Sequence, residues 1–235
     1  SSTRLIIILP QWAKKGGPDA LLRVLRSPKC RKRLEEEVSP RAPTWDDMRL
    51  TNFNQPGNQR WEGHSITEVV RASGKSLIDT LCDLLIEEDL QISYVAASGN
   101  PDTIPMFYQH PLAMVGTDAL LIGKFPSPRS YGTFPYILGE FVREKGFLTL
   151  ADSIRKMTEA PAQRLGLRRR GVLLDGFKAD IVVFDPTTIK SMATHNKPRQ
   201  YPVGIDYVIV NGVVVADHGV HTGAMPGKAL RRGQA

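Results

Sequence analysis

A carboxylate and a guanidinium at either end of a proline-rich loop are the residues of this chain best suited to chemistry. Residues 112–115 form a short, continuous apolar run, which predicts a strand buried on both faces of a parallel sheet. Gly116 ends the run, and the carboxylate of Asp118 follows almost at once. In barrels of alternating strands and helices, a polar residue at the carboxyl end of a strand faces the active site. The pattern therefore predicts that Asp118 lies at the mouth of a barrel strand.

The guanidinium belongs to Arg129, which follows Asp118 by eleven positions. Three prolines and a glycine flank it and favour a stiff loop: Pro126, Pro128, Gly132 and Pro135. A guanidinium held in one orientation suits bidentate capture of a carboxylate. Spacing alone favours a second interpretation equally, in which Asp118 caps the next helix and Arg129 lies on the surface.

The stretch from Gly116 to Pro135 resembles the last barrel strand and following loop of the D-aminoacylases. These are N-acyl-D-amino-acid deacylases of the metal-dependent amidohydrolase superfamily. Where that family typically shows Gly-Ser-Asp-Gly, this chain has Gly116-Thr117-Asp118-Ala119. Other segments match in the same order along nearly the whole chain: Ser1-Ser2-Thr3, Leu9-Pro10-Gln11-Trp12-Ala13, Tyr131-Gly132-Thr133-Phe134-Pro135, Lys156-Met157-Thr158, residues 161–167 and 179–186, Val210-Asn211-Gly212, Thr222-Gly223, Pro226-Gly227-Lys228 and Leu230-Arg231-Arg232.

The resemblance implies zinc-dependent hydrolysis of the amide bond of N-acyl-D-amino acids, and it implies roles for three residues. Asp118 matches the carboxylate that takes a proton from the attacking water and delivers it to the leaving amine, and it is also a candidate metal ligand. Arg129 matches the residue that pairs with the α-carboxylate of the substrate, and Ser2 matches a serine that assists it. Ala119 places a methyl group where the family keeps glycine, so substrate fit is expected to differ.

The resemblance also implies that most of the metal site lies elsewhere. In the family, one or two zinc ions are held by a His-x-His pair, a Cys or carboxylated Lys, and two later His residues, all of which would precede Ser1. We therefore expect this chain to be the carboxyl-terminal half of such an enzyme. Its expected partners are a small N-acyl-D-amino acid and the missing amino-terminal half, and the isolated chain is expected to be inactive.

The predicted fold class is α/β: the distal part of a TIM-like (β/α)8 amidohydrolase barrel with an inserted α-rich subdomain, followed by part of a β-sandwich. Residues 1–12 are assigned to a barrel strand and substrate loop, 13–89 to the insertion, 90–168 to the last barrel strand–helix units, and 169–235 to the β-sandwich. Helices are predicted from Pro18, over 28–37, 65–72, 76–88, 101–109, 136–145 and 150–167. Strands are predicted over 1–9, within 45–53, over 91–97 and 112–118, and at 171–174, 179–184, 207–210 and 213–215, with a hairpin turn at Asn211-Gly212.

Composition excludes several other classes of protein. The chain has 235 residues, whereas a complete eight-stranded barrel usually needs about 250, so a complete barrel is not expected. Its net charge of +7 comes from scattered basic residues without interleaved aromatic residues or a recognition motif, which argues against nucleic-acid binding. No apolar run approaches the roughly 20 residues that span a bilayer, so no membrane partner is expected. Two widely spaced cysteines, Cys30 and Cys82, predict structural thiols and a cytoplasmic protein.

Alternatives to a deacylase remain open at this point. A cyclic-amide hydrolase related to dihydroorotases or hydantoinases would use similar residues. A non-catalytic fragment that serves as a binding or assembly module would not need them. His218-x-x-His221 has the spacing of a metal pair, but no third ligand accompanies it in the sequence, so a structural role is favoured.

Overall fold

The computed structural model describes residues 2–41, 45–96, 100 and 103–230. The chain divides into two compact units. The first comprises Ser1–Ser98 and Leu120–Ser127, and the second comprises Gly99–Ala119 and Pro128–Ala235. Among the described residues, no helix is both long enough and apolar enough to cross a bilayer.

Helices dominate the first unit. They are α1 (Gln11–Lys14), α2 (Gly17–Arg26), α3 (Pro28–Val38), α4 (Ile66–Ser73) and α5 (Leu77–Glu87), with 3-10 turns at Leu5–Ile8, Ser39–Arg41 and Gln59–Trp61. Serines begin three of these helices, because their hydroxyl oxygens accept hydrogen bonds from otherwise unpaired backbone N–H groups. Ser27 caps α3, Ser65 forms a capping box with Glu68 on α4, and Ser76 caps α5.

Leucines from these helices build the core of the first unit. Leu25, Leu34, Leu81 and Leu85 are almost completely buried in one cluster. Arg31 joins α3 to α5 beside this cluster, since its guanidinium donates to Asp79 at 2.8 Å and to Asp83 at 2.7 Å. Helices α2 to α5 therefore pack on one leucine-rich core.

The sheet of the first unit is small and antiparallel. Strands β1 (Ser2–Arg4), β2 (Arg49–Thr51) and β3 (Ser93–Val95) lie in the order β1-β3-β2. Ser2 faces Val95 in register, and both pairs of strands run antiparallel, unlike the parallel strands of a barrel. The predicted strand over residues 1–9 is wrong beyond Arg4. The chain turns there into a 3-10 helix that buries Leu5 and leaves Ile7 58% exposed.

The second unit begins with helices. They are α6 (Ile104–Gln109), α7 (Arg129–Tyr136), α8 (Leu150–Met157) and α9 (Glu159–Leu165), and α7 continues as a π-helix over Ile137–Glu144. The break between α8 and α9 lies at Thr158, which precedes the interruption predicted at Ala160-Pro161.

A four-stranded antiparallel sheet completes the second unit. Its strands are β4 (Ile181–Phe184), β5 (Ile205–Val210), β6 (Val213–Asp217) and β7 (Val220–His221), in sequential order. Asn211 and Gly212 both have positive φ, at 49° and 82°, so the predicted Asn-Gly hairpin is confirmed. His218 and Gly219 form a second turn of this kind between β6 and β7. Residues 171–174, which were predicted to be β-rich, form no strand.

The structure corrects the prediction for the run that precedes Asp118. Residues 112–115 form no strand, and Leu112 is 80% exposed. An apolar strand needs neighbouring strands on both sides and packed layers on both faces. Among the described residues, this segment pairs with no strand. Its described backbone hydrogen bond to another element runs from the N–H of Val115 to the carbonyl of Lys156 on α8, at 3.1 Å.

Candidate functional site

The structure brings together two of the three predicted site residues. A terminal nitrogen of the Arg129 guanidinium donates to Oδ2 of Asp118 at 2.9 Å. Both residues belong to the second unit, although the chain between them passes through the first. The interpretation that Asp118 caps the next helix is wrong, because α7 has no side-chain cap.

The position of Arg129 is set by α7, which was not predicted. The residue opens this helix directly after Pro128, where the prolines and Gly132 had suggested a stiff loop. The Thr133 hydroxyl donates to the Arg129 carbonyl at 2.8 Å. A Cβ atom at Gly132 would collide with Oγ of Ser191, so the glycine allows α7 to lie directly against that residue. These contacts hold the backbone from which the guanidinium projects.

Asp118 lies in a conformation unusual for a residue with a side chain. Its φ is +44°, in the left-handed region that Asp tolerates better than most residues. Its side chain is 85% exposed, whereas that of Arg129 is 26% exposed. The pair thus joins a largely buried cation to a carboxylate that solvent reaches freely.

The Arg129 guanidinium retains hydrogen-bonding capacity. Its Nε is buried and has no hydrogen-bond partner among the described residues. The contact with Asp118 uses one of the five N–H donors that a guanidinium carries. Chemically, the arrangement offers a proton acceptor in Asp118 and, beside it, a cation with donors free for a second anionic group.

The third predicted site residue, Ser2, belongs to the first unit. Its backbone lies in β1, and its side chain is outside the described part of the structure. Its predicted contact with a substrate carboxylate stays a prediction.

The described residues do not form a zinc site by themselves. Zinc in proteins takes three or four nitrogen, sulfur or oxygen ligands from the protein. Across residues 2–41, 45–96, 100 and 103–230, no cluster of three or more His, Cys, Asp or Glu could hold a metal ion. This part of the chain therefore supplies fewer than three clustered ligands, and Asp118 is the candidate among them.

The two histidines with metal-like spacing have local partners instead. Nδ1 of His218 lies 2.6 Å from a carboxylate oxygen of Asp217, and this hydrogen bond raises the pKa of His218. Nδ1 of His221 accepts from the N–H of Gly223 at 2.9 Å. Both contacts stabilise the chain around the β6–β7 turn, in line with the structural role that the sequence favoured.

Sequence reasoning missed one residue that bears on this site. Lys156 of α8 is completely buried, and its ammonium group bonds to the segment that leads to Asp118. The available signal was a lysine on the inner face of a short amphipathic helix, where an apolar residue is the norm.

Comparison with known families then decides the class of the protein. Residues 48–216, which include Asp118, Arg129 and Lys156, match the model of the amidohydrolase family. The chain belongs to the amidohydrolase family. The resemblance to D-aminoacylases stated from the sequence is confirmed by the relatives of this amidohydrolase.

Two relatives come from Alcaligenes xylosoxydans xylosoxydans. An N-acyl-D-aspartate deacylase is 37% identical over 171 residues, which is 70% of this chain and 34% of that protein. A D-aminoacylase is 36% identical over 170 residues, which is 72% of this chain and 34% of that protein. The amidohydrolase chain thus spans about a third of the length of the curated relatives that it matches.

A solved structure is also similar. It is the N-acyl-D-glutamate deacylase from Bordetella bronchiseptica, complexed with zinc and a phosphonate inhibitor that mimics the tetrahedral reaction intermediate. The likeness has a TM-score of 0.67 at 33% identity and covers 76% of this chain and 37% of that one. The amidohydrolase-family fold, built from mixed helices and sheets, is therefore confirmed.

Proposed function

We propose that the complete protein hydrolyses the amide bond of N-acyl-D-amino acids in a zinc-dependent reaction, and that this chain is its distal half. The observation that carries the proposal is the 2.9 Å contact between Asp118 and Arg129. The two residues were matched by resemblance to catalytic and substrate-binding positions of the deacylases, and the contact holds them side by side. Relatives that act as deacylases of N-acyl-D-amino acids support the same reaction.

In this proposal Asp118 is the proton carrier. Its exposed carboxylate accepts a proton from the attacking water and later delivers it to the leaving amine. Arg129 pairs with the α-carboxylate of the substrate through terminal N–H donors that Asp118 does not use. Ser2 assists in holding that carboxylate. Because Arg129 contacts the general base, the α-carboxylate of the substrate is held close to the group that transfers the proton.

The zinc site and the amino-terminal half belong to this proposal as well. We assign one or two zinc ions to the complete enzyme, held mostly by residues outside this chain, since the described part has no cluster of three or more ligands. Deacylase activity is thus a property of the complete protein, and the isolated chain is expected to be inactive.

The proposed domain architecture keeps the domain boundaries that the sequence predicted. Residues 1–12 and 90–168 are assigned to the barrel, 13–89 to the insertion and 169–235 to a β-sandwich portion. The four-stranded sheet from β4 to β7 supports the sandwich. The antiparallel pairing of β1 with β3 departs from the parallel strands of a barrel.

We place the protein in the cytoplasm. The support is the state of its thiols, since Cys30 and Cys82 are both free and Cys82 is buried. Cysteines that are structural and unpaired are the norm in reducing compartments.

Turnover by the complete protein tests the proposed reaction. Purified protein with its zinc bound is supplied with N-acetyl-D-glutamate, N-acetyl-D-aspartate and N-acetyl-D-leucine, with the three L enantiomers, and with hydantoin and dihydroorotate. We expect release of acetate from at least one D substrate, and little or none from its L enantiomer. Hydrolysis confined to the ring substrates would replace the proposal with a cyclic-amide hydrolase. No turnover of any substrate by zinc-loaded protein would favour the binding or assembly module.

A further inference from the structure

We infer that Lys156 is a positioning residue for Asp118, acting through the segment 110–115; the inference rests on the proposed function. Lys156 lies in α8 with 0% of its surface exposed. Its ammonium group donates to the carbonyl of His110 at 2.7 Å and reaches the carbonyl of Ala113 at 3.5 Å. Both carbonyls belong to the stretch of chain that ends in Asp118.

The same turn of α8 holds this segment at further points. The carbonyl of Lys156 accepts from the N–H of Val115 at 3.1 Å. A guanidinium nitrogen of Arg155 lies 3.4 Å from the carbonyl of Pro111. Residues 110–115 pair with none of the described strands. Besides the turn in which the N–H groups of Leu112 and Ala113 bond to His110, these bonds from α8 hold the chain that leads to Asp118.

Burial of the ammonium group is explained by these contacts. A lysine is almost never fully buried unless its charge is paired and its donors are satisfied. Asp152, one turn earlier on α8, places a carboxylate oxygen 3.6 Å from Nζ of Lys156. The two carbonyls thus accept hydrogen bonds from the ammonium group, and the carboxylate, which lies beyond hydrogen-bond distance, offsets its charge.

The face of α8 that carries Lys156 is unusual in a second respect. Its other buried residue is Ser153, whose hydroxyl has no hydrogen-bond partner among the described residues. An ordinary packing helix would place apolar residues at both positions. Ser153 also provides a control, because it shares the burial of Lys156 without bonding to the segment.

The effect on Asp118 follows from geometry. Among the described residues, the side-chain hydrogen bond that Asp118 accepts comes from Arg129, and the Asp118 side chain is 85% exposed. Without the ammonium group, the carbonyl of Ala113 loses its donor and the carbonyl of His110 keeps only the N–H of Ala113, so the segment is less firmly tied to α8 and can take other paths. A displacement of about 1 Å at a catalytic group can cost about 100-fold in rate. Loss of Lys156 should therefore reduce kcat and leave the affinity for substrate nearly unchanged.

The test compares three variants of the complete protein. Lys156→Met removes the ammonium group at similar length, Lys156→Gln keeps a neutral donor, and Ser153→Ala is the matched control. We expect kcat to fall about 10- to 100-fold in Lys156→Met with KM within about twofold, to fall less in Lys156→Gln, and to remain unchanged in Ser153→Ala. In an Asp118→Asn background, Lys156→Met should cause little further loss, because both changes disable the same group.

A second measurement separates this inference from the proposed reaction. Limited digestion with chymotrypsin, followed by mass spectrometry, reports cleavage after Leu112 and Met114. Cleavage there should be at least several-fold faster in Lys156→Met than in wild type or Ser153→Ala, whether or not any substrate is turned over. Faster cleavage in a protein without deacylase activity would support the anchoring and remove only the proposed function. Three results would each overturn the inference. The first is unchanged cleavage together with unchanged kcat in Lys156→Met. The others are a loss of kcat in Ser153→Ala equal to that in Lys156→Met, and a full further loss of kcat when Lys156→Met is added to Asp118→Asn.

Discussion

Glu88 allows a sharp test of how the first unit holds its loop at residues 54–58. Its side chain is buried, with a relative exposure of 2%. Its carboxylate accepts from the backbone N–H of Asn54 at 2.6 Å, from that of Gln55 at 3.1 Å, and from the side-chain amide of Asn58 at 2.9 Å. Three donors from one loop therefore converge on a single buried anion at the end of α5.

The substitution Glu88→Gln changes one atom of this arrangement. The amide keeps one acceptor oxygen and turns an NH2 group toward donors that need an acceptor. A hydrogen bond to a charged group contributes about 1.5–3 kcal/mol, and a buried donor left unpaired costs about 1–3 kcal/mol. Loss of one to two such bonds predicts that the loop is destabilised by about 3 kcal/mol, equivalent to about a 100-fold change in its opening equilibrium.

Amide hydrogen exchange on the complete protein measures this opening directly. Exchange at Asn54 and Gln55 should accelerate about 100-fold in Glu88→Gln. The matched control is Glu87→Gln, because the neighbouring Glu87 is exposed and also accepts from Asn58, at 2.9 Å. An exposed pair of this kind is worth less than about 1 kcal/mol. Equal exchange rates in the two variants would refute the reasoning.

Two further predictions concern the candidate site and the thiols. Arg129→Lys keeps the positive charge but loses the planar fork of the guanidinium. We therefore expect KM for an N-acyl-D-amino acid to rise at least 10-fold while the zinc content of the protein stays unchanged. A KM equal to that of wild type would remove Arg129 from substrate binding. Burial raises the pKa of the Cys82 thiol to about 12, whereas Cys30 is partly exposed. Iodoacetamide at pH 8 should therefore label Cys30 and spare Cys82 until the protein is unfolded. Peptide mapping that finds both cysteines labelled in native protein would contradict the described packing.

The local parts of this fold could be predicted because their causes are local. Ser27-Pro28, Ser65 and Ser76 are caps that act within one turn, and each begins a helix where the sequence indicated one. Asn211-Gly212 forms a hairpin because both positions adopt positive φ, which these residue types tolerate. The sheet from β4 to β7 follows from such turns and from β-rich runs beside them.

Predictions that depended on distant parts of the chain were less successful. Residues 112–115 have the composition of a buried strand, yet a strand forms only where partners are present, and Leu112 is exposed. The helix that begins at Arg129 was hidden by Gly132 and Pro135, which are poor helix formers by themselves. Packing at Gly132 against Ser191 overrides that preference.

In the candidate site, too, features with local causes were predicted and features that depend on distant residues were not. Asp118 and Arg129 were identified by residue type and by resemblance, and the structure pairs them. Lys156 near this site and Glu88 in the first unit were given no role, because a buried charge is recognised only from the backbone groups that surround it. In both cases those groups lie far away in the sequence, at residues 110–113 and 54–58.

The role of Asp118 as proton carrier is the central claim, and one comparison tests it most directly. Asp118→Asn and the exposed Asp175→Asn are made in the complete, zinc-loaded protein, and kcat for an N-acyl-D-amino acid is measured together with bound zinc. We expect Asp118→Asn to lose at least about 100-fold in kcat with zinc still bound, and Asp175→Asn to match wild type. Undiminished turnover by Asp118→Asn would contradict the account.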